Sequence, residues 1–241
     1  MGLLLGTETA GSIPVALDEL AEQVEEIWAL THQAAHAEVS VMVTQLVPAL
    51  EYAVRTVDLE ERPRAYGLLA RAYQALSSAF SRQNYASASW VSADRAIAAA
   101  EQSGDVLLVC ASIYRMVHAF VRLGNKAEAE HAVTAAVDSL SQRADLTPEG
   151  LSVLGSLHLA KALVHARCGQ RPEAREEIAR AQRVAEQIGE GRNDYNLEFG
   201  PTNVAVNAVA TAVDLGDAGE AIDLGRTIEA DALSPERRGG C

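Results

Sequence analysis

Gly124-Asn-Lys-Ala-Glu-Ala129 and Gly169-Gln-Arg-Pro-Glu-Ala174 say nearly the same thing, and Gly216-Asp-Ala-Gly-Glu-Ala221 says it again. Gln83-Asn-Tyr-Ala-Ser-Ala88 reads as a worn fourth copy, and neighbouring copies stand 41, 45 and 47 residues apart. A motif recurring at such an interval in a helix-rich chain marks a stacked array, in which each unit buries its apolar face on the next. The glycine fits a tight turn or a positive-φ position between two helices. The glutamate falls in the first turn of the following helix, where the helix dipole favours acid. The alanine is small because a neighbouring helix backbone comes close. Arrays of this kind bind along a long surface and rarely do chemistry.

Counting outward from the motif divides the chain into helix pairs. A first helix begins near Asp18, with Leu20, Val24, Ile27 and Thr31 along one face at helical spacing. After a break near Ala34-Ala35-His36, a second helix is expected to about Thr56, with Pro48 placed to kink it. The second pair is predicted over 61–81 and 84–102. Ser103-Gly104-Asp105 then gives a glycine stop and a new cap. The third pair is predicted over 105–122 and 126–143. Thr147-Pro148-Glu149 opens the fourth with a capping residue and a proline at the first helical position. That pair runs to Cys168 and then over 172–188. The polar, turn-rich stretch from Gly189 to Pro201 interrupts the pattern. A fifth pair follows over 202–215 and 218–230. Residues 1–16 read as an irregular leader, 17–233 as the repeat domain, and 234–241 as a truncated tail.

Composition agrees. The 241 residues are 49% hydrophobic but only 5% aromatic, and small alanines suit close helix packing. The net charge of −13 repels a phosphate backbone, so nucleic-acid binding by this chain is not expected. Cys110, Cys168 and Cys241 lack C-x-x-C spacing. The first two sit in apolar helical patterns, predicting buried free thiols and a reducing, cytoplasmic compartment. The short apolar N-terminus lacks the parts of a signal peptide. No apolar stretch of 18 residues is evident, so no membrane span is expected.

The glycine and alanine positions are those of tetratricopeptide-like repeats, at a longer period. A more specific likeness is carried by Arg192-Asn-Asp-Tyr-Asn-Leu-Glu-Phe-Gly-Pro-Thr-Asn-Val-Ala-Val206, Val213-Asp-Leu-Gly-Asp-Ala-Gly-Glu-Ala221 and Leu233-Ser-Pro-Glu-Arg-Arg238. With Asp18-Glu-Leu-Ala-Glu-Gln-Val24 and Ala93-Asp-Arg-Ala-Ile-Ala98, these resemble the C-terminal tetratricopeptide-like domain of actinobacterial helix-turn-helix transcriptional regulators of the XRE type. The block Phe199-Gly-Pro-Thr-Asn-Val204 is the most specific part. The resemblance implies the ligand-sensing or dimerising half of a regulator. The resemblance starts near Asp18 and breaks off after Arg238, so on this reading no DNA-reading head is expected and operator recognition is not carried over. The uncapped end predicts self-association as a homodimer or poor solubility.

No motif supports catalysis: there is no phosphate-cradling loop after a strand, no nucleophile elbow and no zinc-protease signature. His32 and His36 have i,i+4 spacing, but zinc needs further ligands. His158 and His165 fall on the face packed against the partner helix and read as satisfied core or rim histidines. No metal or cofactor is expected. The first helix of each pair should line the concave face. Counting back from the inter-helix turn to the mid-helix position gives Trp28, Arg71, His118, Leu163 and Ala210, with Gln74, Tyr114, Asn203 and Val206 one turn away. Trp, Tyr, Arg, His and Asn on one surface suit recognition of a peptide, small-molecule or protein ligand; equally, several could simply fill the interior. Asn203 and Asn207, at i,i+4, either hold the backbone of an extended peptide or brace the segment that ends at Pro201. The sequence thus predicts an all-α, right-handed tetratricopeptide-like solenoid of about five antiparallel helix pairs. Its expected role is a binding module of a transcriptional regulator; the alternative is a free-standing scaffold that docks another protein.

Overall fold

The computed structural model describes residues 16–143 and 146–228, and these are helical with no strand. Five pairs follow in order: α1 Leu17–His32 with α2 His36–Thr56, α3 Arg62–Arg82 with α4 Ala86–Ser103, and α5 Val106–Leu123 with α6 Lys126–Ser141. Then come α7 Pro148–Arg167 with α8 Arg171–Ile188, and α9 Pro201–Asp214 with α10 Ala218–Gly225. The predicted pairs are all present. Helix α2 runs through Pro48 as one element. Helix α10 ends at Gly225, short of the expected Ala230, which lies outside the described residues. So do the 234–241 tail and all of the leader except Ala16.

One turn is used five times. Ala34, Asn84, Gly124, Gly169 and Gly216 each have φ between 59° and 81°. After each, a backbone N–H reaches back to the preceding helix: Ala35 to Leu30, Tyr85 to Phe80, Asn125 to Phe120, Gln170 to His165 and Asp217 to Ala212, all at 2.8–2.9 Å. This Schellman closure satisfies carbonyls that the helix end leaves open. It corrects the register of the worn copy by one residue, since Asn84 and not Gln83 is the glycine equivalent. It also reveals a fifth copy at Ala34 that the sequence motif concealed. Five residues after each turn residue comes a buried side chain: Val39, Ser89, Ala129, Ala174 and Ala221. At Ser89 the close approach is made by hydroxyls, Ser77 Oγ donating to the Ser89 carbonyl and Ser89 Oγ to the Ser77 carbonyl, both at 2.9 Å.

The caps read from sequence are in place. Leu108 N donates to Asp105 Oδ1 at 3.1 Å, and Gly150 N to Thr147 Oγ1 at 3.3 Å. Two expectations are corrected. Cys110 is buried, but Cys168 is exposed, because it caps α7 beyond the last core-facing turn. Helix α5 is by length and composition apolar enough to cross a membrane, contrary to the sequence reading. Its composition has a packing cause: α5 is touched by α3, α4, α6 and α7, so few of its sides need be polar.

First helices of successive pairs touch one another (α1 with α3, α3 with α5, α5 with α7, α7 with α9), whereas the second helices make no comparable contacts. The array therefore bends with its odd-numbered helices on the inner side.

Candidate functional site

The inner face carries a chain of aromatic and cationic groups. On α1, the Trp28 and His32 rings lie 5.7 Å apart. From α5, the Arg115 guanidinium sits 5.3 Å from the Trp28 ring centre and 5.4 Å from that of Tyr114. Tyr114 in turn meets His118 at 4.6 Å. A cation over an aromatic face is attracted by the ring quadrupole, and more strongly when partly desolvated. Tyr114 and His118 are half-buried on this face as expected, but Trp28 is only 2% exposed and packs in the core of the first units, so it backs the groove and does not line it; Arg115 joins the three. Sequence reasoning missed Arg115, although a basic residue inside the long apolar run of α5 was the available signal.

The other expected residues do different work. Gln74 is fully buried, and its amide donates to the Leu108 carbonyl and to Ser112 Oγ, tying α3 to α5 beneath the surface. Arg71 stands in another register: Trp28, His118, Leu163 and Ala210 each lie six residues before a turn residue, and the equivalent on α3 is Ser78, which is buried. Arg71 instead forms a two-pronged pair with Glu25 of α1 at 2.7 and 3.0 Å. Leu163 and Val206 are half-buried and Ala210 is exposed.

The polar stretch 189–200 does not hang free. It crosses the inner face and is bonded to four of the five units, the first, third, fourth and fifth. Glu190 caps α9, its carboxylate accepting from Thr202 N at 2.6 Å and Thr202 Oγ1 at 2.7 Å. Arg192 bridges Glu149 of α7 and Asp194. Tyr195 donates its hydroxyl to the Asp105 carboxylate at 3.0 Å. Burial first, and then the Asp105 charge, push that hydroxyl's pKa well above the ordinary tyrosine value. Arg115 donates to the Asn196 carbonyl at 2.6 Å. His32 contacts Asn196 Oδ1 at 3.2 Å and the Glu198 carboxylate at 3.1 Å. Leu197 is buried with the α5–α7 core, and Phe199 is buried against α7 and α9.

Asn203 and Asn207 belong to this arrangement. Asn203 Nδ2 donates to the Leu197 and Glu198 carbonyls, and Asn207 Nδ2 donates to the Asn203 carbonyl at 2.9 Å. The Asn203 amide braces the crossing segment, the second of the two roles the sequence left open, and Asn207 supports it only through Asn203.

His158 and His165 are bonded as core groups, to Glu177 and Gln170, each at 2.6 Å. Burial alone would push the Glu177 carboxyl up. The His158 hydrogen bond, with the charges of His158, Lys161 and Arg180, outweighs burial and holds it below the usual carboxylate range. Among the described residues, no three His, Cys, Asp or Glu side chains gather as a metal site. A separate hollow of about 430 Å³ lies between α8, α9 and α10, floored by Ile178, Val204, Ala208 and Leu224 with Arg175 and Glu220 at its edge.

No protein-family model matches the chain, and no curated protein matches it. Solved structures do. A putative kinesin light chain with nearly identical TPR-like repeats, from Podosopora anserina, aligns at 17% identity with a TM-score of 0.54, over 88% of this chain and 93% of that one. A form of the same kinesin light chain carrying one substitution aligns at 17% identity and 0.55, over 87% and 92%. Identity this low speaks to fold alone, and the fold is the expected all-α tetratricopeptide-like solenoid.

Proposed function

We propose that this chain is a scaffold that binds a peptide or protein partner on its inner face. The observation that carries this reading is the continuous run His118–Tyr114–Arg115–Trp28–His32, in which half-buried Tyr114, His118, His32 and the Arg115 guanidinium gather on one face over the buried Trp28 ring, in a chain that is only 5% aromatic. Buried or half-buried aromatic and arginine side chains are the groups that most often anchor protein contacts. The reading assigns no catalysis. Photo-crosslinking tests it. A crosslinking amino acid at Tyr114 or Leu163 should capture a partner from cells of the native host, and one at the exposed Tyr85, just before α4, should not. Capture from Tyr85 alone, or from none of the three, would refute it.

A narrower reading makes this scaffold the sensing half of a transcriptional regulator. It is supported by the regulator-like block at 199–204, whose Phe199 and Asn203 secure the crossing segment. If it holds, the crosslinked partner is a DNA-binding protein or its ligand. A partner with no link to transcription leaves the scaffold reading and removes this one.

A further inference from the structure

The segment Asn193–Glu198 lies on the inner face much as a bound peptide would. It offers a main-chain carbonyl to Arg115, a carboxylate to His32, an aromatic hydroxyl to Asp105 and a leucine to the core. Three observations show that this position is held by its contacts. First, Tyr195, Asn196 and Glu198 have φ of 51°, 58° and 49°, a left-handed backbone that L-residues adopt at a cost of roughly 1–3 kcal/mol each and that gathers at clamps and switches. Second, the anchors stand outside the segment, with Glu190 capping α9 on one side and Phe199 seated on α7 on the other. Gly191, at φ 79°, and Gly200 lie next to those anchors, where a hinge would bend. Third, the surface beneath is incompletely satisfied: the Trp28 indole N–H, beside the Arg115 guanidinium, is buried and meets no acceptor among the described residues.

We infer that Asn193–Glu198 is a displaceable internal occupant of the groove, and that the external partner is an extended acidic peptide built on the same pattern. That pattern is an aromatic residue, a spacer, an apolar residue and a carboxylate, as in Tyr195-Asn-Leu-Glu198. The inference rests on the inner-face binding proposed above and names its ligand class and its control. Charge supports it. The chain as a whole carries −13, yet the Asn196 carbonyl of the segment is received by the Arg115 guanidinium, so an acidic peptide in the same place meets a cation there. The segment competes with the partner, and apparent affinity falls by the fraction of time the groove is closed.

The test uses the full chain and a blocked, fluorescent peptide Asn-Asp-Tyr-Asn-Leu-Glu, followed by anisotropy. The double variant Tyr195→Phe/Glu198→Gln loses the hydroxyl bond to Asp105 and the carboxylate charge beside His32, but keeps the His32–Asn196 contact, the ring and the leucine. It should bind the peptide about tenfold more tightly than the unaltered chain or better, because the groove is open more often. Adding Arg115→Ala should abolish that gain. Equal affinity in the two proteins, or a gain that survives Arg115→Ala, overturns the inference. Hydrogen exchange on the unaltered chain gives a second check that needs no variant. The Leu197 amide, bonded to Asp194, should exchange well before the Val204 amide inside α9; equal protection overturns the inference. A partner crosslinked from Tyr114 whose affinity ignores the double variant would sink the internal occupant and leave the groove reading intact. No inner-face crosslink and no peptide binding would sink both.

Discussion

The ring of Phe199 rests on the bare α-carbon of Gly155. A β-carbon at that position of α7 would stand 2.1 Å from the ring, nearer than any real contact. Phe199 is 1% exposed, so the ring has nowhere to move without losing its burial. Gly155→Ala should therefore destabilise the chain by roughly 1–3 kcal/mol, the usual cost of overpacking, and Phe199→Ala by about 3–5 kcal/mol. Urea unfolding measures both. A neutral Gly155→Ala would mean that the ring does not depend on the gap.

The five turns predict substitutions of opposite sign. Ala34 holds a positive φ that costs an L-residue about 1–2 kcal/mol, part of which glycine returns as unfolded-chain entropy. Ala34→Gly should be more stable by about 0.5 kcal/mol, and Gly169→Ala less stable by about 1 kcal/mol. Nothing lies within 4 Å of a β-carbon at Gly169, so no clash adds to the backbone strain, which unfolded-chain entropy partly offsets. The same sign for both in urea midpoints would refute the argument.

Acid should weaken the pair α7–α8. The Glu177 carboxyl is held below its ordinary range in the folded chain, so its contribution is complete above that range and is lost as pH falls through the lower folded value. As pH falls through and below the ordinary carboxylate range, the unaltered chain should lose stability more steeply than Glu177→Gln. At neutral pH, Glu177→Gln should already cost roughly 1–3 kcal/mol, because it removes the buried acceptor and charge that His158, Lys161 and Arg180 share. Parallel pH profiles for the two proteins would exclude the pair as the cause.

The cysteines should differ in reactivity. Burial pushes the Cys110 thiol up to about 11, whereas Cys168 is exposed at the end of α7. With two pKa units or more between Cys110 and an ordinary thiol, its thiolate fraction is reduced on the order of a hundredfold before access is counted. A short treatment with a thiol reagent, mapped by mass spectrometry, should label Cys168 and spare Cys110. Labelling of Cys110 in the native chain at a similar rate would contradict its burial.

What could be read from the sequence was local. Helix pairs, caps and turns declare themselves within a few residues, and Asp105, Thr147 and the repeated glycines were legible for that reason. Register failed where the turn used another residue: Asn84 and Ala34 adopt the same backbone as Gly124 without its signature. Arg71 and Gln74 were placed by helical phase, which does not tell a side chain that faces the groove from one that ties two inner helices together. The contacts of His32 with Asn196 and of Arg115 with the same residue join positions 164 and 81 apart, and no local pattern announces them. The turn-rich composition of 189–200 correctly marked an interruption but not its destination.

A stack of repeats is ordinarily a line of nearest-neighbour couplings, in which damage at one end is not felt at the other. The bond between His32 and Asn196 turns that line into a circuit. While the segment is seated, a break in the first unit would reach the entry to the fifth without passing through those between, so the ends of this array should melt together rather than fray apart.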